Sequence, residues 1–275
     1  MATAVAASGV GKHVLVNGIN LYYEVHGAGK PLVLLHGGFG VVGMFEQVLP
    51  KLAESRQVIG VELQAHGHTA DIDRPLSFEL MADDVAALLE HLGLESADIL
   101  GYSLGGGVAV QAAIRHPLRV RKLVVVSAPC KSDGWYADVF KGLRSINAGI
   151  AKTWVGSPMH KAYASVAPRP EDWTTLAAKL GKLLGQPYDW SREVAAIKSP
   201  TMVVIGDADS VRTAHAVEFF ELLGGGKGDA GLDGSGIPNG RLAILPGTTH
   251  YNILRSPLLA AAVADFLDAR TGYRH

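Results

Sequence analysis

Six short runs of apolar, β-favouring residues recur along the chain: Pro31 to Leu35, Val58 to Leu63, Ile99 to Tyr102, Leu123 to Ser127, Met202 to Ile205 and Leu242 to Leu245. They are continuous runs rather than alternations of apolar and polar residues. A strand with one wet face alternates, so a continuous run marks a strand covered on both faces, as in a parallel sheet flanked by helices. Upstream, His13 to Val16 and Leu21 to Val25 surround Asn17-Gly18, a hairpin turn signal that predicts an antiparallel start to the sheet. Together these predict an α/β fold with eight strands, mostly parallel, joined by right-handed crossovers.

The helical patterns between the runs carry their own punctuation. Ser77 can cap a helix with Phe78, Met81, Val85, Leu88, Leu89 and Leu92 on its apolar face, ending at Gly93. A second helix starts just after Ser103 and stops before Pro117, and a third opens at Ser256-Pro257. With 275 residues, 48% of them hydrophobic and 19% charged, one large domain with an insertion can bury an ample core. Two segments break the rhythm. Lys131 to Trp190 is mostly helical in pattern and holds all four tryptophans, and Gly224 to Gly240 has eight glycines in 17 residues and reads as a surface loop without packing of its own.

The strongest chemical signal is Gly101-Tyr102-Ser103-Leu104-Gly105, a G-x-S-x-G with a strand before it and a helix after it. Such a turn must be very tight, which explains the flanking glycines and holds the serine hydroxyl at its tip. A hydroxyl is a poor nucleophile without a base. His250 follows the last strand run in Leu245-Pro246-Gly247-Thr248-Thr249-His250 and takes that role by position among 11 histidines. The acid comes from the loop after the preceding strand, where Asp207 and Asp209 compete. Asp209 is preferred because it sits farther into the loop, leaving Asp207 to form a turn. The glycine-rich stretch His36-Gly37-Gly38-Phe39-Gly40 can aim backbone N–H groups at a developing oxyanion. Gly38 is the preferred first donor, with Phe39 the alternative and Leu104 the second donor.

His36-Gly37-Gly38, Gly101 to Gly106, Gly206-Asp207-Ala208-Asp209 and Gly247 to His250 together resemble the α/β-hydrolase superfamily, in its esterase, haloperoxidase and C–C hydrolase branch. The resemblance runs from about Leu21 to Leu267. It implies the α/β-hydrolase fold, Gly38 and Leu104 as oxyanion donors, and a core of residues 1–130 and 191–275 with a helical cap, 131–190, inserted after the sixth strand. Epoxide hydrolases and haloalkane dehalogenases of this fold resemble the chain but carry aspartate at the nucleophile. Serine at 103 therefore implies an acyl-enzyme route and an ester or lactone of a small, largely apolar substrate, with C–C hydrolase, amidase and perhydrolase as alternatives. The chain departs from the family pattern after the fourth strand, where D-x-R-G-H-G-x-S is replaced by Glu62-Leu63-Gln64-Ala65-His66-Gly67-His68-Thr69.

Other readings are weaker. Gly38-Phe39-Gly40-Val41-Val42-Gly43 is also a G-x-G-x-x-G after a strand, with Glu62 nineteen residues beyond Gly43, the outline of a dinucleotide site. An NAD-dependent oxidoreductase would leave the other three motifs unused, and a non-catalytic receptor would leave the triad idle. No cofactor is expected. His66 and His68 form an H-x-H pair with no third metal ligand nearby, and Cys130 after a strand run reads as a small buried hydrophobe. For the substrate pocket the candidates are Phe39, Tyr102, Trp135 and Tyr136 first, then Phe140, Trp154, Met159, Tyr163 and Trp173. The net charge of −1 gives no footprint for nucleic acid or an anionic membrane, so the expected partner is a small molecule; a homodimer stays open. Met1 to Gly11 lacks the basic start and apolar run of a signal peptide, no run nears the ~20 apolar residues of a membrane span, and a single cysteine suits a reducing compartment. The expectation is a cytoplasmic protein.

Overall fold

Residues 9–269 are described by the computed structural model, so residues 1–8 of the amino-terminal stretch Met1 to Gly11 lie outside the described residues. The strands are β1 (Gly11–Val16), β2 (Ile19–His26), β3 (Lys30–Leu35), β4 (Arg56–Glu62), β5 (Ala97–Tyr102), β6 (Val120–Val126), β7 (Thr201–Ala208) and β8 (Gly240–Thr249). They form one sheet in the order β1-β2-β4-β3-β5-β6-β7-β8. The first two pairings are antiparallel and the other five parallel. Asn17 and Gly18 both take positive φ (46° and 81°), the backbone that a two-residue hairpin with the sheet's own twist requires.

The helices are α1 (Leu49–Ala53), α2 (Phe78–His91), α3 (Leu104–Arg115), α4 (Ala137–Ser145), α5 (Ala148–Thr153), α6 (Pro158–Ala164), α7 (Trp173–Leu184), α8 (Ser191–Val194), α9 (Thr213–Leu222) and α10 (Pro257–Asp268). Helices α2, α3 and α9 cover one face of the sheet, α1 and α10 the other, each against its own buried apolar cluster. Burial on both faces is the reason β3 to β7 read as continuous apolar runs. Leu242 to Leu245 is the exception. It lies in β8 at the sheet edge, and Ile244 there is exposed, so this run is not covered on both faces as its sequence suggested.

Helix ends follow the expected chemistry. The Ser77 hydroxyl accepts from the Leu80 N–H (3.3 Å), and Gly93 ends α2 with φ 67°. The buried Lys122 ammonium donates to the carbonyls of Phe266 (2.8 Å), Leu267 (3.1 Å) and Ala269 (2.6 Å), neutralising the carbonyl end of α10. Helices α4 to α8 all fall between β6 and β7. Helix α7 is tied to the loop after β4 by Lys179, whose ammonium meets the Asp71 carboxylate (2.6 Å) and the carbonyls of Ile72 (2.9 Å) and Arg74 (2.8 Å). The stretch Gly224 to Gly240 runs from the end of α9 to the start of β8 without a regular element. No helix among the described residues is long and apolar enough to cross a membrane.

Candidate active site

Three parallel strands deliver their carboxyl ends to one place. Strand β5 stops at Tyr102 and α3 starts at Leu104, so Ser103 alone makes the turn, at φ 53° and ψ −115°. Backbone in that region costs about 1–3 kcal/mol and persists only where the surroundings enforce it. The enforcement is visible. The Ser103 N–H is held by the Val126 carbonyl (2.9 Å), and the Gly106 N–H donates to the Ser103 carbonyl (2.9 Å). A Cβ on Gly101 would sit 2.0 Å from the Gly105 carbonyl oxygen, and one on Gly105 would sit 2.2 Å from that of Leu35. Only glycine permits strand and helix to approach this closely.

Beyond β8, His250 faces the serine. Its Nε2 lies 3.1 Å from Ser103 Oγ, and its Nδ1 lies 3.1 Å from Asp209 Oδ1. The Asp209 carboxylate is fully engaged. Oδ1 also accepts from the Val211 N–H (3.1 Å), while Oδ2 accepts from the Ser127 hydroxyl (2.5 Å) and the Gly206 N–H (3.0 Å). Burial pushes its pKa up, but the hydrogen bonds from His250 and Ser127 outweigh that, and the carboxyl ends below the usual range. An ionised carboxylate only accepts, so Nδ1 carries the imidazole proton and Nε2 is left to accept from the serine. The backbone of His250 is fixed by the Tyr102 hydroxyl, which donates to its carbonyl oxygen (2.6 Å). Asp207 does other work: exposed, it accepts from the N–H groups of Gly247 (3.0 Å) and Thr248 (3.2 Å) and shapes the approach to His250.

After β3, Gly40 N–H bonds back to the Gly37 carbonyl (3.0 Å), which puts Gly38 and Phe39 at the corners of a turn, Phe39 with φ 59°. The nearest atoms to a Cβ at Gly38 would be Leu180 methyls 3.8 Å away, so this corner opens on the cavity. Neither the Gly38 nor the Leu104 N–H has a hydrogen-bond partner among the described residues, and both residues line the same cavity as Ser103. Beneath the turn, the buried His36 donates from Nδ1 to the Gly37 carbonyl (2.8 Å) and accepts at Nε2 from the Leu63 N–H (3.0 Å). Burial, reinforced by nearby His66, lowers its pKa to about 3; burial lowers that of His66 to about 4. Both are therefore neutral pillars of the loop.

The cavity holds about 490 Å³. Phe39, Tyr102 and Trp135 line it, as do Trp154 and Met159. Tyr136 does not, contrary to the sequence reading. Trp135 bridges to Val211 in extended backbone and turns its ring edge-on to His250 (5.6 Å), so the next side chain points the other way and Tyr136 is exposed. Phe140, Tyr163 and Trp173 are also off the lining. Trp173 is buried with its indole N–H on the Ala151 carbonyl (2.9 Å), and Tyr163 packs on it. Three contributors were missed: the Ser127 hydroxyl, the anchoring role of the Tyr102 hydroxyl, and Tyr251 at the cavity wall. The signal for Ser127 was present as a lone polar residue ending the β6 run.

The remaining motifs are spent elsewhere. Glu62 accepts from Val42 N–H (3.0 Å) and from the His68 N–H (2.5 Å), tying the loops after β3 and β4 together. The G-x-G-x-x-G stretch leads into a short 3₁₀ turn, Val42–Phe45, rather than a long helix. His66 is buried beside His36, while His68 stacks on Tyr22 (4.0 Å), so the H-x-H pair diverges. Cys130 is buried, and burial pushes its thiol up to about 12.

The strand order and the strained serine turn coincide with what comparison finds. A family model described as alpha/beta hydrolase fold matches residues 30–155. The chain has the α/β-hydrolase fold, and its likeness to that family extends over those residues. Among curated relatives, 2-hydroxymuconate semialdehyde hydrolase of Pseudomonas sp. (strain CF600) is 37% identical over 123 residues, covering 43% of this chain and 44% of that one. Pimeloyl-[acyl-carrier protein] methyl ester esterase of Edwardsiella ictaluri is 27% identical over 277 residues, covering 91% and 98%. The chain spans less than half the length of the first curated relatives it matches. In solved structures, E-2-(acetamidomethylene)succinate hydrolase superposes with a TM-score of 0.74 at 20% identity over 95% of this chain and 100% of that one, a likeness of fold. The chain departs from the α/β-hydrolase family's usual loop after β4, and its own loop is self-consistent: Gly67, with φ 51°, leaves the space that the Glu62 carboxylate fills.

Proposed function

We propose that this protein is an α/β hydrolase, a serine hydrolase that cleaves a carboxylic ester or lactone of a small, largely apolar substrate through an acyl-enzyme. The observation that carries the reading is the relay of two 3.1 Å contacts, Ser103 Oγ to His250 Nε2 and His250 Nδ1 to Asp209 Oδ1, at the wall of an apolar cavity. In this reading His250 takes the Ser103 proton as the hydroxyl attacks the ester carbonyl. Asp209 holds the imidazole in the competent tautomer and stabilises its cationic form. The N–H groups of Gly38 and Leu104 receive the tetrahedral oxyanion; each such donor is worth roughly 10² to 10³ in rate. The alcohol leaves with the proton from His250, and water repeats the attack on the acyl-enzyme. Residues 131–190 act as the cap, since Val139, Leu143, Ile146, Trp154, Met159 and Leu184 of that segment line the cavity over Ser103.

The test is a panel of p-nitrophenyl esters, lactones and anilides assayed with the native chain and with Ser103→Ala. The substitution lowers kcat on the best substrate by on the order of 10⁴ or more. Near-full activity of Ser103→Ala on that substrate would sink the reading.

A further inference from the structure

The geometry points to a specific acyl group: an uncharged apolar chain of medium length, lying against helix α4, with carboxylate-bearing acyl groups rejected. This rests on the serine-hydrolase reading above and deepens it.

Helix α4 has no buried residue, yet it is strongly two-faced. Val139, Leu143 and Ile146 recur at the i, i+4, i+7 spacing of one helical stripe, and all three are half-buried on the cavity wall. Met159 and Leu184 line the same cavity. The same three α4 side chains pack against the buried core, and the face they turn to the cavity is completed by whatever fills it. These five side chains are aliphatic or thioether, and Phe39, Phe78, Trp135 and Trp154 complete an apolar wall.

Two of the wall's hydroxyls are already committed. The Tyr102 hydroxyl donates to the His250 carbonyl, and the Tyr188 hydroxyl to the Pro129 carbonyl (3.3 Å). Among the described residues, no aspartate, glutamate, lysine or arginine lines the cavity. A carboxylate on the acyl chain would therefore lose its water and find no counter-charge, which is among the costliest burials in proteins. The direction of the chain follows from His250. Tyr251, against the His250 ring at 5.4 Å, lines the cavity while being 82% exposed, so the cavity meets solvent there. The leaving alcohol takes its proton from His250 and exits on that side. The acyl chain then lies away from Tyr251, along the wall to which Val139, Leu143 and Ile146 contribute. At about 30 Å³ per water-sized group, the cavity holds on the order of 16 of them.

The experiment compares p-nitrophenyl esters from acetate to octanoate with p-nitrophenyl esters ending in a free carboxylate, such as the mono-ester of adipic acid against hexanoate. We expect kcat/KM to rise roughly fourfold per methylene until the cavity is full, the value that transfer of a methylene from water implies. The carboxylate ester runs at least a hundredfold below its neutral match, and Leu143→Arg narrows that gap at least tenfold. Methyl hexanoate and monomethyl adipate titrated into Ser103→Ala, read by tryptophan fluorescence, give the same preference without turnover. A flat or falling chain-length series, or equal handling of the carboxylate ester, overturns the inference while leaving the serine reading intact. Turnover that survives Ser103→Ala alongside the expected binding preference overturns the serine reading instead.

Discussion

Lowering the pH from 7.5 to 5 should weaken this fold through two histidines that never touch solvent. His36 and His66 are buried beneath the Gly37–Gly40 turn with folded pKa values of about 3 and about 4, against an ordinary 6.5. A base with a depressed folded pKa contributes stability that is complete above the unfolded value and is lost as the pH falls toward the folded one. At pH 5 the unfolded chain has gained nearly one proton at each site and the folded chain almost none. Each histidine then costs about 2 kcal/mol relative to pH 7.5. Asp98 acts in the opposite sense. Burial pushes its pKa up to about 6 against the pull of Arg121 and Arg56, so the folded chain takes up a proton there and recovers about 1 kcal/mol. The net loss is about 2–3 kcal/mol, a large fraction of a typical 5–15 kcal/mol. Urea unfolding at the two pH values measures it. His66→Asn keeps an N–H donor for the Gln64 carbonyl (2.8 Å from Nδ1) and removes a ring nitrogen that has no partner, so it should flatten the pH dependence by about 2 kcal/mol. An unchanged pH dependence in His66→Asn would refute the reasoning.

Asp209→Asn should lower kcat by on the order of 10⁴, as loss of the tautomer-holding carboxylate does in triads, whereas Asp207→Asn should cost no more than a few-fold; parallel steady-state assays separate them. Ser127→Ala removes the shortest hydrogen bond to Asp209, and kcat should drop roughly tenfold with KM unchanged; a change confined to KM or to stability would remove Ser127 from the relay. Gly105→Ala drives a Cβ to 2.2 Å from the Leu35 carbonyl, where backbone and not a pliable side chain must yield. It should destabilise by about 3 kcal/mol or more, read as a lower urea midpoint.

Much of this architecture could be read from local pattern. Strand runs, the hairpin turn at Asn17-Gly18 and the caps at Ser77 and Gly93 depend on backbone preference and on which faces are dry, and both are written in nearest-neighbour sequence. The positions of Ser103 and His250 were equally legible, because a one-residue turn between strand and helix leaves a glycine signature and the other group follows the last strand. Long-range decisions were not. Asp209 over Asp207 became a matter of contact only when β6 brought Ser127 to its second oxygen, 82 residues away in the chain. Trp135 and Tyr136 are adjacent and alike in sequence, and the bridge to Val211 alone decides which of them faces His250. Helix α4 looks like any amphipathic helix; that its apolar side chains also line the cavity shared with Ser103 is decided by the fold. Local sequence determines conformation because its energies act within a few residues. Which side chains meet is decided by packing, whose energies act between residues that the fold alone makes neighbours.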